Sequence, residues 1–195
     1  MRNALVVGPR LYLRPSEKED GGDLARFQAT EPETFMERGR VPFSPLAFDA
    51  LIDDIFKQQP PSEVWLTACA KAGDALIGAF QLFDIDWINR TAETGAWIYD
   101  PAYRGQGYGT EAKHLLLEYA FDHLQLHALN SYVWEPNVRS ASAVQKQGYR
   151  PAGRLKWEDV KHGVHRDALL FDLLRDEWVV ARDAWRVSLA AREQT

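Results

Sequence analysis

Gly105, Gly107 and Gly109 fall on alternate positions of Tyr103-Arg104-Gly105-Gln106-Gly107-Tyr108-Gly109-Thr110, between a strand-like stretch and one with helical spacing. Without side chains at these positions the backbone can turn tightly and its N–H groups can converge on a small anion. A helix opening directly afterwards adds unpaired N–H groups and the positive end of its dipole. This is the chemistry of a phosphate cradle. Asn137 and Ser140 are spaced to share one helix face. No Cys/His or carboxylate cluster has the spacing of a metal site, so no metal is expected.

Three phosphate-binding patterns compete for the glycine turn. A P-loop needs Gly-Lys-Ser/Thr, and Gly109-Thr110 lacks the lysine. The dinucleotide pattern is satisfied only through Gly107-x-Gly109-x-x-Ala112, and it belongs directly after a first strand, inside βαβ units. Here several antiparallel-type strands precede the turn. The third pattern, Arg/Gln-x-x-Gly-x-Gly/Ala between a strand and a helix, fits Arg104-Gly105-Gln106-Gly107-Tyr108-Gly109 at every required position.

The elements that must position these groups follow from periodicity. Arg10–Arg14 alternates and stops at Pro15, a first strand; Ser16 and Glu19 read as a capping box for a helix carrying Leu24 and Phe27. Residues 30–63 hold five prolines and one helical stretch around Phe48, Leu51, Ile52 and Ile55, a natural place for acceptor-binding loops. Strands follow at Val64–Ala70, Leu76–Leu82 (prolonged through Phe83 and Ile85) and Glu93–Tyr99, then a helix from about Thr110 to Leu124. Leu129–Trp134 reads as a strand, Val138–Gln147 as a helix ending at Gly148, and Tyr149–Lys156 with Asp167–Leu174 as a final antiparallel pair. A terminal helix, about residues 176–191, closes a single domain spanning 1–195. The order predicts an α/β (α+β) layer fold with a mixed sheet.

Composition narrows the classes. A formal charge of −5 argues against nucleic-acid or membrane-surface binding and favours cationic partners such as amines. The single cysteine, Cys69, lies in an apolar run without a basic neighbour, as a structural thiol does, and a cytoplasmic setting is expected. The run Ala4-Leu5-Val6-Val7 is too short for a signal core or a membrane span.

With these motifs in place the chain resembles the GCN5-related N-acetyltransferase (GNAT) superfamily, and within it the ribosomal-protein N-terminal acetyltransferase (Rim-type) branch. The resemblance rests on Leu11-Tyr12-Leu13-Arg14-Pro15, Glu93-Thr94-Gly95-Ala96-Trp97-Ile98, Tyr103–Ala112, Asn137-Val138-Arg139-Ser140 and Gln147-Gly148-Tyr149. It implies a mixed, mostly antiparallel sheet flanked by helices and split in a V between the fourth and fifth strands. It implies acetyl-CoA as acyl donor, its pyrophosphate held by N–H groups from Arg104 through Gly105, Gln106, Gly107, Tyr108 and Gly109 to Thr110. The pantetheine arm would lie along Trp97, Ile98 and Tyr99, with an N–H near Trp97 or Ile98 holding the thioester oxyanion. Trp97 itself is read as packing.

The same resemblance implies direct attack by a neutral amine, with Glu93 as first choice of base and Asp159 as second. Asn137 would bind the pantetheine amide, although a residue after Pro136 is also a good N-cap. Ser140 would reach the sulfur, because the superfamily's tyrosine acid is replaced by Val144 here. Trp87 and Trp157, set among charges near hairpin ends, would line the acceptor cleft. The expected acceptor is a protein N-terminal amine. The alternatives are a small-molecule amine and a non-catalytic acyl-CoA sensor, and the expected assembly is a monomer or homodimer.

Overall fold

A computed structural model describes residues 1–30, 44–161 and 163–193. In chain order the elements are β1 (Val6–Val7), β2 (Leu11–Pro15), α1 (Gly21–Thr30), α2 (Pro45–Lys57), β3 (Val64–Ala70), β4 (Leu76–Asp86) and β5 (Thr91–Ile98). They continue with α3 (Tyr108–Glu118), β6 (Ala128–Trp134), α4 (Val138–Lys146), β7 (Arg150–Lys161), β8 (Val164–Leu174) and α5 (Arg175–Glu193). The eight strands form one sheet in the order β1-β2-β3-β4-β5-β6-β8-β7, and only β5 and β6 run parallel.

The β5–β6 junction creates the split. Pairing lasts for Thr91–Ala128, Ala92–Leu129 and Glu93–Asn130, then stops, so beyond Glu93 the two strands part. Side chains rivet the apex: Thr94 Oγ1 donates to Asn130 O at 3.0 Å, and Ser131 Oγ donates to Thr94 O at 3.3 Å. The buried Tyr149 hydroxyl meets Thr94 Oγ1 at 2.7 Å. The expected V between the fourth and fifth predicted strands is therefore present, and β1 adds a short edge strand beyond that prediction.

Each face of the sheet has its own core. Under α3, Ala112, Leu115, Leu116 and Leu117 pack with Phe80, Leu82, Leu129 and Phe121. Completely burying one such large apolar side chain stabilises the fold by about 1.5–3 kcal/mol. On the other face Leu24, Phe48 and Ile52 of α1 and α2 pack with Trp65, Leu76 and Tyr99. At the C-terminus Trp178 is fully buried and stacks on Phe121, while Trp185 stacks on His114.

Several local expectations change. Ser16 is not a helix cap: it is buried and its Oγ meets Thr67 Oγ1 at 2.9 Å. The lead-in to α1 is a 3-10 turn, Lys18–Asp20, with Glu17 as N-cap and Asp20 as its reciprocal partner. Asp20 has a larger task. It accepts from both Arg14 guanidinium nitrogens (2.9 and 2.5 Å) and from Thr67 Oγ1 at 2.7 Å, tying α1 to β2 and β3. Burial opposes ionisation of Asp20, but Arg14, the Glu17 N–H and Thr67 outweigh it and hold the carboxyl below its ordinary range. Asp159 lies within β7, opposite Arg166, and not in the link between the last two strands, because β7 runs on to Lys161. The helix after the glycine turn begins at Tyr108, and its α-helical part ends at Glu118 before a π-helical turn, Tyr119–His123. The sequence expectation for residues 30–63 as acceptor loops falls partly on 31–43, outside the described residues.

Candidate active site

The glycine turn is built as a cradle and braced from below. Asp100 caps the 3-10 turn Pro101–Tyr103 by accepting from Ala102 N at 2.9 Å. Gly105 (φ 76°) and Gly107 (φ 84°) occupy the left-handed region, and Gly107 is the N-cap of α3. Glu111 N bonds Gly107 O at 3.0 Å, so the N–H groups of Tyr108, Gly109 and Thr110 precede the first helical hydrogen bond and project at the helix mouth. An anion there meets those donors and the helix dipole together.

Two residues that sequence reasoning passed over hold this turn in place. Glu111 is fully buried; it accepts from Arg10 N at 2.7 Å, Arg10 Nε at 2.8 Å and Leu11 N at 3.2 Å. Arg10 also donates to Gln106 O at 2.9 Å and lies over the Tyr108 ring at 4.3 Å. A first-turn glutamate reads as a helix-dipole partner in sequence, and only the fold reveals its buried clamp.

Arg104 sits differently from a phosphate ligand. Its Nε and Nη2 donate to Ile98 O and Tyr99 O at 2.9 and 3.0 Å, stapling the loop to the end of β5. The strand itself offers an open edge. Tyr99 N donates to Ile77 O on the β4 side. By strand alternation the odd-numbered N–H groups face β4, and the even-numbered ones, Ala96 and Ile98, face the gap toward β6. Of the two positions expected to hold a thioester oxyanion, Ile98 therefore has the suitable N–H, while Trp97 turns its backbone inward.

On the α1/α2 face β5 presents Glu93, Gly95, Trp97 and Tyr99. Trp97 stacks on Tyr99 (5.7 Å, 14°), and Tyr99 on Phe27 of α1 (6.0 Å, 14°). Burial pushes the Tyr99 hydroxyl up to about 12. Gly95 lacks a side chain because Gln81 Oε1 and the Phe83 ring lie 2.8 and 2.7 Å from where a Cβ would stand. Glu93 is half-buried, and burial raises its pKa; the nearby Asp84 carboxylate raises it further, while Lys113 opposes. Asp84 reaches this place through a bulge in β4 between Phe83 and Asp86, with its own φ at 48°. Lys113, 2% exposed on α3, lies 5.6 Å over the Tyr149 ring; burial pushes its ammonium down to about 7 against the pull of Glu93. Sequence reasoning named neither Asp84 nor Lys113.

The remaining predicted residues spread out along the V and beyond it. Asn137 is the N-cap of α4, its side chain accepting from Ser140 N at 3.1 Å, and Ser140 is half-buried on the first turn. Val144 is buried on the same helix. Asp159 lies on the outer hairpin. Trp157 is 72% exposed, with φ at 57°, its N–H held by Asp167 Oδ1 at 3.0 Å and its ring stacked on His165. Trp87 is half-buried and donates its indole N–H to Pro61 O at 2.8 Å. Among the described residues no group of three His, Cys, Asp or Glu could hold a metal ion, and no helix is long and apolar enough to cross a membrane.

A glycine cradle at a helix mouth, beside a parted pair of parallel strands, defines the class of CoA-dependent acyltransferases. The comparisons make the family explicit. The acetyltransferase (GNAT) domain family matches residues 10–150, and the chain belongs to this family. Among relatives, it is 31% identical over 104 residues to the Bacillus subtilis protein named "Putative ribosomal N-acetyltransferase YdaF", a match spanning 53% of this chain and 56% of YdaF. It is 24% identical over 177 residues to the spermidine N(1)-acetyltransferase of Escherichia coli K12, covering 86% of this chain and 87% of that one. Two structures of spermidine N-acetyltransferase from Vibrio cholerae, one with CoA and spermine and one dodecameric, match with a TM-score of 0.74 at 21% and 22% identity. They cover 87% of this chain and 98% and 96% of theirs, a likeness of fold.

Proposed function

We propose that the protein is an acetyl-CoA-dependent N-acetyltransferase acting on a small polycationic amine. The observation that carries the acceptor class is the pairing of Glu93 with Asp84 at the apex of the V, next to the Phe27–Tyr99–Trp97 stack. Two carboxylates and flat aromatic faces suit an amine bearing more than one positive charge. The spermidine N(1)-acetyltransferase relatives support this choice over the protein N-terminus expected from the Rim-type resemblance, for which YdaF speaks. A half-buried carboxyl with a raised pKa also disfavours a purely sensory role.

In this reading the CoA pyrophosphate rests on the N–H groups between Arg104 and Thr110, and the pantetheine arm pairs with the free edge of β5. The Ile98 N–H polarises the thioester carbonyl. Glu93 takes a proton from the attacking amine, directly or through one water. Its raised pKa brings it closer to neutral pH, where a base is most effective. In the same reading Ser140 serves the leaving sulfur and Asn137 the pantetheine amide, with Asp159 as the second choice of base. Assembly extends from monomer or homodimer to higher oligomers on the precedent of the dodecameric relative, and sedimentation distinguishes them.

The test is release of free CoA thiol with a panel of spermidine, spermine, single amino acids and short peptides with free N-termini. Turnover of the polyamines with KM values well below those of the peptides is expected. Peptide turnover alone would return the acceptor to the protein N-terminus, and tight CoA binding without turnover would favour the sensor.

A further inference from the structure

Asn130 stands opposite Glu93 at the last paired position before β5 and β6 separate. Register partners on adjacent strands project to the same face, so Asn130 and Glu93 share one face of the sheet at the apex of the V. Its Oδ1 is buried and has no hydrogen-bond partner among the described residues. A bare buried carbonyl oxygen is costly unless some state of the protein supplies a donor. An ionised carboxylate beside it has no proton to give, but the same carboxyl after proton uptake does.

We propose that Asn130 is a positioning residue that accepts a hydrogen bond from Glu93 once Glu93 has taken the proton of the attacking amine. The inference rests on Glu93 acting as the base. In the step, the amine lone pair forms the new bond to the thioester carbon, its proton passes to a Glu93 oxygen, and the C–S bond breaks with its electron pair leaving on sulfur. The Glu93 O–H then donates to Asn130 Oδ1, which has no other partner among the described residues. The bond exists only after proton transfer, so it favours the product side of that transfer and strengthens Glu93 as a base without tightening ground-state binding.

Other charged groups face the pair from every neighbouring element. Asp84 on β4 favours protonated Glu93 and Lys113 on α3 favours the ionised form. Asp172 on β8 stands opposite Asn130, and Arg150 on β7 opposite Asp172. Burial, Asp84 and Lys113 set the background pKa of Glu93, and Asn130 adds an effect whose sign depends on the direction of its amide.

The pH dependence of kcat and kcat/KM, with acetyl-CoA and spermidine or the best amine of the panel, tests this in Asn130→Ala, Asn130→Asp and Glu93→Gln. Asn130→Ala should move the acid limb down by about one unit and lower plateau kcat about tenfold, with both KM values within twofold. Asn130→Asp should move the limb up, because a second carboxylate disfavours ionised Glu93. A structural role for Asn130 would lower activity in both variants without opposite limb movements, and would overturn the proposal. So would an upward shift in Asn130→Ala, which means that the amide N–H faces Glu93. Glu93→Gln separates the premise: if it keeps the acid limb and the rate, the base assignment fails; if it loses them while Asn130→Ala leaves the limb unmoved, only the Asn130 proposal fails.

Discussion

In the proposed reading, the donor side and the acceptor side of the V are built from different materials. The donor side is backbone: glycine conformations, helix-mouth N–H groups and a free strand edge, braced from beneath by Arg10 and Glu111. The acceptor side is made of side chains, with Glu93 from β5, Asp84 from a bulge in β4, Asn130 from β6 and aromatic rings from α1 and β5. Backbone sites tolerate little variation in geometry and recognise a constant ligand. Side-chain sites can be changed residue by residue, so one scaffold can take many amines.

That contrast can be broken by mutation. The largest effect is expected from Gly107→Trp. A side chain there is strained at φ 84° and meets the Arg10 guanidinium, 3.3 Å from the Cβ position, so CoA binding measured by calorimetry should vanish. Glu93→Gln should lower kcat by about 100-fold or more while CoA affinity stays within twofold, splitting chemistry from donor binding in steady-state kinetics. Glu111→Gln should weaken CoA about tenfold and leave the amine KM unchanged, because it loosens only the brace. Asp84→Asn should do the reverse, raising the KM of a polyamine about tenfold with CoA affinity intact.

Lys113→Met gives the subtlest result. Lys113 lowers the pKa of Glu93, so its loss should move the acid limb of the pH–rate profile upward. Its ammonium is pushed down to about 7 in the folded state from an ordinary 10.5, so its burial costs stability at every pH below about 10. That cost grows as pH falls from about 10 to about 7 and is constant below. Lys113→Met should therefore raise Tm at neutral pH by about 3 °C or more, in a thermal melt.

The two sides also differ in how far the sequence reveals them. Gly105, Gly107 and Gly109 announce the cradle because only their spacing permits it, and the helix mouth follows from the adjacent periodicity. The V was legible through the resemblance and is visible as the three-pair ladder of β5 and β6. Asp84, Asn130 and Lys113 were not legible. Asp84 depends on a bulge that alternation cannot place, and Asn130 on the register of a strand far along the chain. Lys113 reads as a solvated helix charge until its turn of α3 is buried. Ser16 was misassigned for the same reason: local capping grammar cannot see the buried Asp20–Arg14–Thr67 network that occupies it.

The most direct test of the central claim is acetyl transfer measured in one experiment with equal concentrations of spermidine and an unblocked peptide, for the wild-type protein and Asp84→Asn. Acetylspermidine should dominate with the wild type, and its advantage should fall about tenfold in the variant. Acetylated peptide as the main product, unchanged by Asp84→Asn, would contradict the account.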